Sequence, residues 1–236
     1  MRKRKLRIIM LARTVPEDSK KHGQSVCACA WCEEERSLVR IYPIPIGGNL
    51  LKRWNVLDVN VCRPKDDSRA ESWRLDCEGP ADAEHAIEYA GVADREQMLA
   101  GMQGSTMVAE SIAALNGARR SLGLLRLSYG REKLVCDDIC HDPADRFTKA
   151  GMGLQPRLLF DEEGSSHGMQ LNAWEVFRAM HNGTTPAQLS DRYHFGDARY
   201  DHLLLVGNMV SMRNRWIIAA VFPLLVAGRI EERLLF

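Results

Sequence analysis

Basic side chains gather in three stretches of the N-terminal third of the sequence, and each stretch adjoins a strand-like segment. The first follows the apolar run 7–12, the second ends the run 37–42, and the third follows the run 56–62. The candidate binding residues in these stretches are Arg13, Lys20, Lys21, His22, Arg40, Tyr42, Arg63, Lys65, Arg69, Glu71 and Arg74. Lysine and arginine neutralise phosphate charge and release counterions. The set therefore predicts a surface that binds nucleic acid or phosphate.

Aromatic residues lie among these basic residues. Tyr42, Trp54 and Trp73 are the three that the sequence places closest to them. Each contributes roughly 1–3 kcal/mol where it stacks on a nucleic-acid base. The alternative is a solvated charged surface whose neighbouring aromatic residues belong to the core.

Charge is distributed unevenly along the chain. Residues 1–75 contain 16 Lys and Arg and 9 Asp and Glu, a net +7, whereas residues 76–236 contain 16 and 22, a net −6. Such asymmetry is typical of a polyanion-facing surface at one end. It is also expected if the two parts attract each other across an internal interface.

Seven cysteines, an odd number without a secretory context, indicate free thiols in a reducing compartment. The soft ligands fall in two groups, Cys27, Cys29 and Cys32 in one and Cys136, Cys140 and His141 in the other. Tetrahedral zinc needs four ligands at turn spacing. On a strand, Cys27 and Cys29 share one face and Cys32 points to the other, so we expect buried thiols, no metal and no cofactor.

Two groups of residues carry possible acid–base chemistry. One pairs His22 with Glu71, and the other places the pair His141–Asp142 near Asp137 and Asp138. The three aspartates of the second group also have the chemistry of a Mg²⁺ site for phosphodiester hydrolysis. Sequence spacing does not show hydrogen-bond reach, which a general base requires, so the sequence leaves open whether the protein is an enzyme.

Trp174–Glu175 opens a predicted helix, where a carboxylate is favoured by the helix dipole. The pair fits either a packed aromatic residue with a helix-start carboxylate or a functional role. No Walker A, G-x-S-x-G, H-E-x-x-H or dinucleotide-binding fingerprint occurs in the sequence.

Hydrophobic periodicity predicts an α+β fold. Five short strands within about the first 70 residues indicate a small antiparallel barrel or a curled sheet. Helices are expected over 93–103 and 106–115, with Asp94 and Ser105 as N-caps, and further strands and helices form the C-terminal part. We expect a basic strand-rich block at 1–78 with an acidic α+β part at 79–236 packed on it as one structural unit, and no repeat of 20–50 residues.

The sequence predicts a cytoplasmic protein without a membrane partner. The apolar run near the N-terminus, 6–12, is short and interrupted by Arg7. The run 216–228 contains Pro223 and is shorter than the ~20 residues that span a bilayer. The oligomeric state is left open.

Several of these motifs resemble a family of uncharacterised prokaryotic and phage proteins. The N-terminal motifs are RTVP at 13–16, SKKHG at 19–23, VRIYPIP at 39–45 and RPKDDSRAESWR at 63–74. The C-terminal ones are WEV at 174–176, VG at 206–207 and the stretch 216–223. The resemblance implies one structural unit and an intracellular prokaryotic or phage origin, and no activity is attached to it.

Lys20 and Lys21 with Glu71 and Arg74 also resemble the signature of ASCH domains, whose PUA-like barrels bind RNA.

Together these features favour a nucleic-acid-binding protein, acting in phage–host conflict or in nucleic-acid modification or processing. A nucleotide-directed enzyme or nucleotide-sequestering protein is the first alternative, and a protein–protein inhibitor or adaptor is the second. The three differ in whether the basic stretches converge and on what kind of surface. An open groove suits a polymer, and a closed pocket suits a nucleotide.

Overall fold

The computed structural model describes residues 3–19, 23–45, 49–128, 132–138, 154–162, 165–209 and 212–226. Strands dominate the described residues, and the chain divides into two compact units, 1–107 and 108–236. No described helix has the length and apolar character needed to cross a membrane. The first unit contains the predicted block 1–78 together with a further strand and helix, and the assignment of 1–78 as a separate domain stays a prediction.

The first unit consists of seven strands, one α-helix and two short 3-10 helices among its described residues. They are β1 (Lys3–Arg13), β2 (Glu17–Ser19), β3 (Gly23–Cys32), β4 (Ser37–Pro45), a 3-10 helix (Asn49–Leu51), β5 (Asn55–Cys62), β6 (Ser72–Leu75), a 3-10 helix (Pro80–Ala86), β7 (Ile87–Val92) and α1 (Arg95–Gln103). Proline at 43 and 45 marks the end of β4, as expected for a residue that lacks a ladder donor.

Five of these strands close into a barrel in the order β1-β3-β4-β6-β5-β1. Every neighbouring pair is antiparallel except β4 and β6, which run parallel through the pairs Arg40–Ser72 and Ile41–Trp73. The long strand β1 closes the ring because its first part pairs with β5 and its second part with β3. The predicted N-terminal barrel is confirmed, although one of its pairings is parallel.

Successive side chains of each strand point alternately into the barrel and to its outer face. The interior of β1 carries Leu6, Ile8 and Met10, each at most 1% exposed. Apolar side chains from β3, β4, β5 and β6 complete the same core cluster. Each fully buried side chain of this size contributes about 1.5–3 kcal/mol relative to an exposed one, so this interior fixes the register that puts the intervening residues outside.

The second unit contains seven strands and three helices among its described residues. They are β8 (Val108–Ala109), α2 (Ile112–Gly117), β9 (Leu122–Leu127), β10 (Glu132–Asp138), β11 (Leu154–Glu162), β12 (Ser165–Gln170), α3 (Trp174–His181), α4 (Pro186–Tyr193), β13 (Tyr200–Met209) and β14 (Met212–Leu225). Thr185 caps α4 through a reciprocal capping box with Gln188, and Pro186 occupies the first helical position, where an amide hydrogen has no partner within the helix.

The second unit repeats the pairing order of the first. The two pairings that β1 makes in the first unit, with β3 and with β5, are divided between two strands here. Strand β10 pairs with β11, and β9 pairs with β13. The antiparallel pairs β11–β12 and β13–β14 follow, and Leu171, just after β12, forms a parallel bridge with Ile218 of β14. The sequence shows no repeat because pairing order is set by the backbone and not by residue identity.

The expected helical middle is present only as two short helices. Asp94 caps α1 as predicted, because its side chain accepts a hydrogen bond from the Gln97 amide at 2.8 Å. The second prediction is wrong: α2 begins at Ile112 after Ser111, and Ser105 instead donates to the Met102 carbonyl. The Glu162 carboxylate, 50 residues further along, accepts from the Ile112 amide at 2.9 Å, so a distant strand sets this helix start.

Two ionisable side chains, Glu132 and His202, lie against each other in the interior of the second unit. His202 Nδ1 lies 3.2 Å from Glu132 Oε1, and both side chains are fully buried. His202 Nε2 donates to the Tyr193 carbonyl at 2.8 Å, since a carbonyl oxygen only accepts. Nδ1 of His202 and the Glu132 carboxylate thus contact each other where both side chains are buried.

Replacing Glu132 alone with leucine is expected to lower the free energy of unfolding by roughly 3–5 kcal/mol, because it leaves His202 buried without its partner. The double variant E132L/H202L is expected to recover most of this loss. Urea unfolding of both variants, compared with the variant K133L at the exposed neighbouring position, measures the coupling. A single variant as stable as the double variant would contradict a coupled pair.

Candidate binding site

The outer face of β3 and β4 carries a row of side chains that we call the outer stripe: Cys27 and Cys29 of β3 with Arg40 and Tyr42 of β4. Cys29 and Arg40 stand opposite each other across the two strands. They are 3% and 6% exposed, whereas Cys27 and Tyr42 are half-buried. The stripe therefore has a buried charged centre and a more accessible end at Cys27 and Tyr42.

The connection 63–71 between β5 and β6 lies against this stripe. The Arg40 amide donates to the Glu71 carbonyl at 2.9 Å, next to the parallel pair Arg40–Ser72. The charges of Arg40 and Arg69 both act on the Cys29 thiol. The structure thus brings two of the three predicted basic stretches together.

The third stretch begins where β1 ends. Arg13 is the last residue of β1 and pairs with Ala28, and the Thr14 amide donates to the Cys27 carbonyl at 2.9 Å. The end of β1 therefore lies beside the accessible end of the outer stripe. Lys20, Lys21 and His22, which complete this stretch, fall outside the described residues.

Arg63 holds the connection 63–71 in shape. Its Nη1 donates to the carbonyls of Ala70 and Ser72, the latter at 3.0 Å. Its guanidinium group lies 3.6 Å from the centre of the Trp73 ring, in a cation–π contact. Arg63 thus ties the start of the connection to its end.

Arg69 and Asp67 form a bidentate pair within the same connection. Arg69 Nε and Nη2 donate to the two carboxylate oxygens at 2.8 and 2.7 Å. Burial raises the pKa of Asp67, but the hydrogen bonds from Arg69 outweigh it and lower this pKa to about 2. The carboxylate therefore stays ionised at neutral pH and balances the charge of Arg69.

The remaining predicted residues are spread around this connection. Lys65 is exposed on it, Glu71 anchors it through its carbonyl, and Arg74 is half-buried on β6 opposite Cys62. The expectation that Trp73 stacks on bases is wrong, because its side chain lies in the barrel interior and is 1% exposed. Trp54 is half-buried just before β5.

The basic residues of β1 pair with carboxylates that the sequence does not place beside them. Lys3 contacts Asp76 at 3.1 Å and Lys5 contacts Glu88 at 2.9 Å. Arg7 makes a bidentate pair with Asp58, which lowers the pKa of Asp58 through the hydrogen bond and the charge of Arg7. Exposed pairs of this kind add little stability, but they neutralise much of the positive charge that the N-terminal sequence carries.

Four cysteines of the first unit, Cys29, Cys32, Cys62 and Cys77, have raised pKa values and remain protonated thiols at neutral pH. The hydrogen bond with Cys27 and burial raise the pKa of Cys29 well above its ordinary value, and burial raises the pKa of Cys32 to about 11. Cys27 and Cys29 face outward while Cys32 is in the core, as the strand pattern predicts. Within the described part of the chain, no group of three metal-binding side chains forms.

The predicted acid–base groups are only partly described. Cys140, His141 and Asp142 lie outside the described residues, as does His22, while Asp137 and Asp138 are described as backbone of β10. Trp174 begins α3, with Glu175 in its first turn, as the sequence predicts.

The variant D67N is expected to lower the free energy of unfolding at pH 7 by roughly 1–3 kcal/mol, because it leaves Arg69 without its charged partner. The folded-state pKa lies below the ordinary 3.8, so the stabilisation is complete above about pH 4 and is lost as the pH falls towards 2. Urea unfolding from pH 7 to 2, with E78Q at an exposed position as control, measures the difference. A gap between wild type and D67N that stays constant across this range would contradict the assignment.

Residues 4–101 match the family model described as "Domain of unknown function (DUF8758)", which covers most of the first unit. No curated protein matches the chain. A solved structure described as "Structure of murine DNA binding protein bound with ds DNA" is similar over 97% of this chain and 98% of that chain, with 6% identity and a TM-score of 0.30. A TM-score this low carries no inference about fold or function. The first unit is thus similar to a family of undefined function, and the comparisons add no support for the PUA-like analogy or for a phage origin.

Proposed function

We propose that the protein binds single-stranded nucleic acid through the outer stripe and the connections beside it. The observation that carries this proposal is the barrel connectivity: counted along the chain, the barrel strands pair in the order 1-2-3-5-4-1, and the third runs parallel to the fifth. This connectivity is that of the OB fold. OB-fold barrels bind oligonucleotides on the face of their second and third strands and on the loops that join strand 1 to 2 and strand 4 to 5.

The corresponding parts of this chain have suitable chemistry. The second and third barrel strands are β3 and β4, whose outer stripe includes the half-buried aromatic residue Tyr42. The connection from the fourth to the fifth strand is 63–71, with Lys65 exposed. The connection from the first to the second begins beside Arg13 and contains Lys20 and Lys21 in sequence. Cations that follow a backbone and aromatic faces that receive bases are the two elements of single-strand binding.

A single strand suits this surface better than a duplex. Its unstacked bases are free to lie on an aromatic side chain such as Tyr42, whereas a duplex keeps its bases stacked inside. We extend the proposal to a role in nucleic-acid modification or processing, or in phage–host conflict, in which the barrel recognises the strand. A nucleotide-directed enzyme or a nucleotide-sequestering protein would instead prefer mononucleotides, and an adaptor protein would bind neither.

Binding of fluorescein-labelled oligo-dT and oligo-U is expected to weaken with salt, and the variant K65A is expected to reduce the slope of log K against log salt by about 0.7, the value for one phosphate contact on a single strand. Fluorescence anisotropy from 50 to 200 mM salt measures this slope. The matched control is R95A, which removes an exposed charge from α1 of the same unit. Wild-type protein that binds neither oligonucleotide at ~50 mM salt, where phosphate contacts are strongest, would refute the proposed function.

The variant Y42A is expected to weaken binding by roughly 1–3 kcal/mol, the range for the loss of one base–aromatic stack. Y42F keeps the ring and is expected to bind like wild type. Because removal of a ring changes stacking and not charge, the salt slope of Y42A should equal that of wild type. Equal weakening by Y42A and Y42F would point to the hydroxyl group and contradict stacking.

A further inference from the structure

Three exposed arginines of the second unit form a set that the candidate site does not include. They are Arg119, between α2 and β9, with Arg213 and Arg215 near the start of β14. We call them the hairpin cluster. Among the described residues, none of the three side chains has an ion-pair or hydrogen-bond partner, in contrast to the paired cations of β1.

Buried side chains hold the two segments of the hairpin cluster together. The Asn208 amide donates to the Ser121 carbonyl at 3.0 Å, and Asn208 Nδ2 donates to the Arg213 carbonyl at 2.7 Å. Trp216 Nε1 donates to Asn116 Oδ1 at 3.0 Å. Asn208 and Trp216 are each 6% exposed. One buried asparagine thus contacts both segments, so their proximity is fixed by the fold.

Arg119 occupies a backbone conformation that does not suit it. Its φ angle is 52°, in the left-handed region that favours glycine at the end of a helix. An arginine at this position costs backbone energy, and its exposed side chain makes no described contact that offsets the cost. A strained residue of this kind is a candidate for a functional role.

The position of the hairpin cluster in the fold matches that of the first unit's basic connection. Arg213 and Arg215 lie near the start of β14, and β13 and β14 are the fourth and fifth strands of the second unit's pairing order. The connection between the fourth and fifth strands of the first unit is 63–71. The three arginines also lie in the acidic part of the sequence, where residues 76–236 carry a net −6.

We propose that the hairpin cluster is a second phosphate-contact site for the nucleic-acid strand, and the ligand class rests on the proposed function. Guanidinium groups bind phosphate oxygens bidentately, and exposed arginines without carboxylate partners keep all their donors for this purpose. The two units then contact the strand independently, the first through the connection 63–71 and the second through Arg119 and the start of β14.

The test uses the full chain, oligo-dT and oligo-U. The variant R213A/R215A is expected to reduce the slope of log K against log salt by about 1.4, because it removes two contacts of about 0.7 each. The matched control is R178A/R192A, which removes two exposed arginines from α3 and α4 of the same unit. An equal slope reduction by both double variants would reflect net charge alone and would overturn the proposal.

The variant R119G separates binding from folding. Glycine accepts the left-handed conformation and lacks the guanidinium group, so the midpoint of thermal unfolding should stay the same or rise while the salt slope falls by about 0.7. Wild-type affinity and slope in R119G and in R213A/R215A, together with weakened binding in K65A and Y42A, would overturn the hairpin cluster and leave the proposed function intact. Absence of binding by the wild-type protein would overturn both.

Discussion

Closure of the first barrel depends on a short parallel pairing between β4 and β6. Two residue pairs make this contact, and β6 is also held by only two pairs to β5. Parallel neighbours need a crossover connection, and here the crossover runs through β5 and then the connection 63–71. The bond from the Arg40 amide to the Glu71 carbonyl lies where this connection enters β6. The last strand of the barrel is therefore fixed by the same segment that supplies the candidate binding residues.

This constraint explains why the basic residues of the connection have different roles. Arg63 bonds to two carbonyls of the connection and lies on the Trp73 ring, and Arg69 is balanced by Asp67. A buried or half-buried charge requires such partners, because desolvation without them costs several kcal/mol. The exposed Lys65 has no such requirement. The net charge counted along the sequence is thus larger than the charge that is available to a ligand. The paired Arg63 and Arg69 hold the exposed Lys65 on an ordered loop.

Local patterns of the sequence predict the strands, the barrel and the Asp94 cap. The alternation of apolar and polar residues, the prolines and the capping residues each act over a few positions. The features that the sequence does not predict are set by distant partners. Trp73 enters the core because β6 pairs with β4, and α2 starts at Ile112 because Glu162 reaches its first amide. The repeated pairing order of the two units has no sequence signal, since β9 and β10 divide between them what β1 does as one strand. For the candidate site, the sequence predicts which residues take part. It does not predict which of the cations are paired within the fold and which are exposed.

The two units show that one pairing order tolerates different interiors and different surfaces. The first unit fills its barrel with apolar side chains, whereas the second places Glu132 and His202 against each other inside. The connection between the fourth and fifth strands differs as well: residues 63–71 in the first unit, residues 210–211 in the second. A longer connection costs more entropy to order, which the Arg63 and Asp67–Arg69 contacts offset. Arg213 and Arg215, which follow the shorter connection, are exposed.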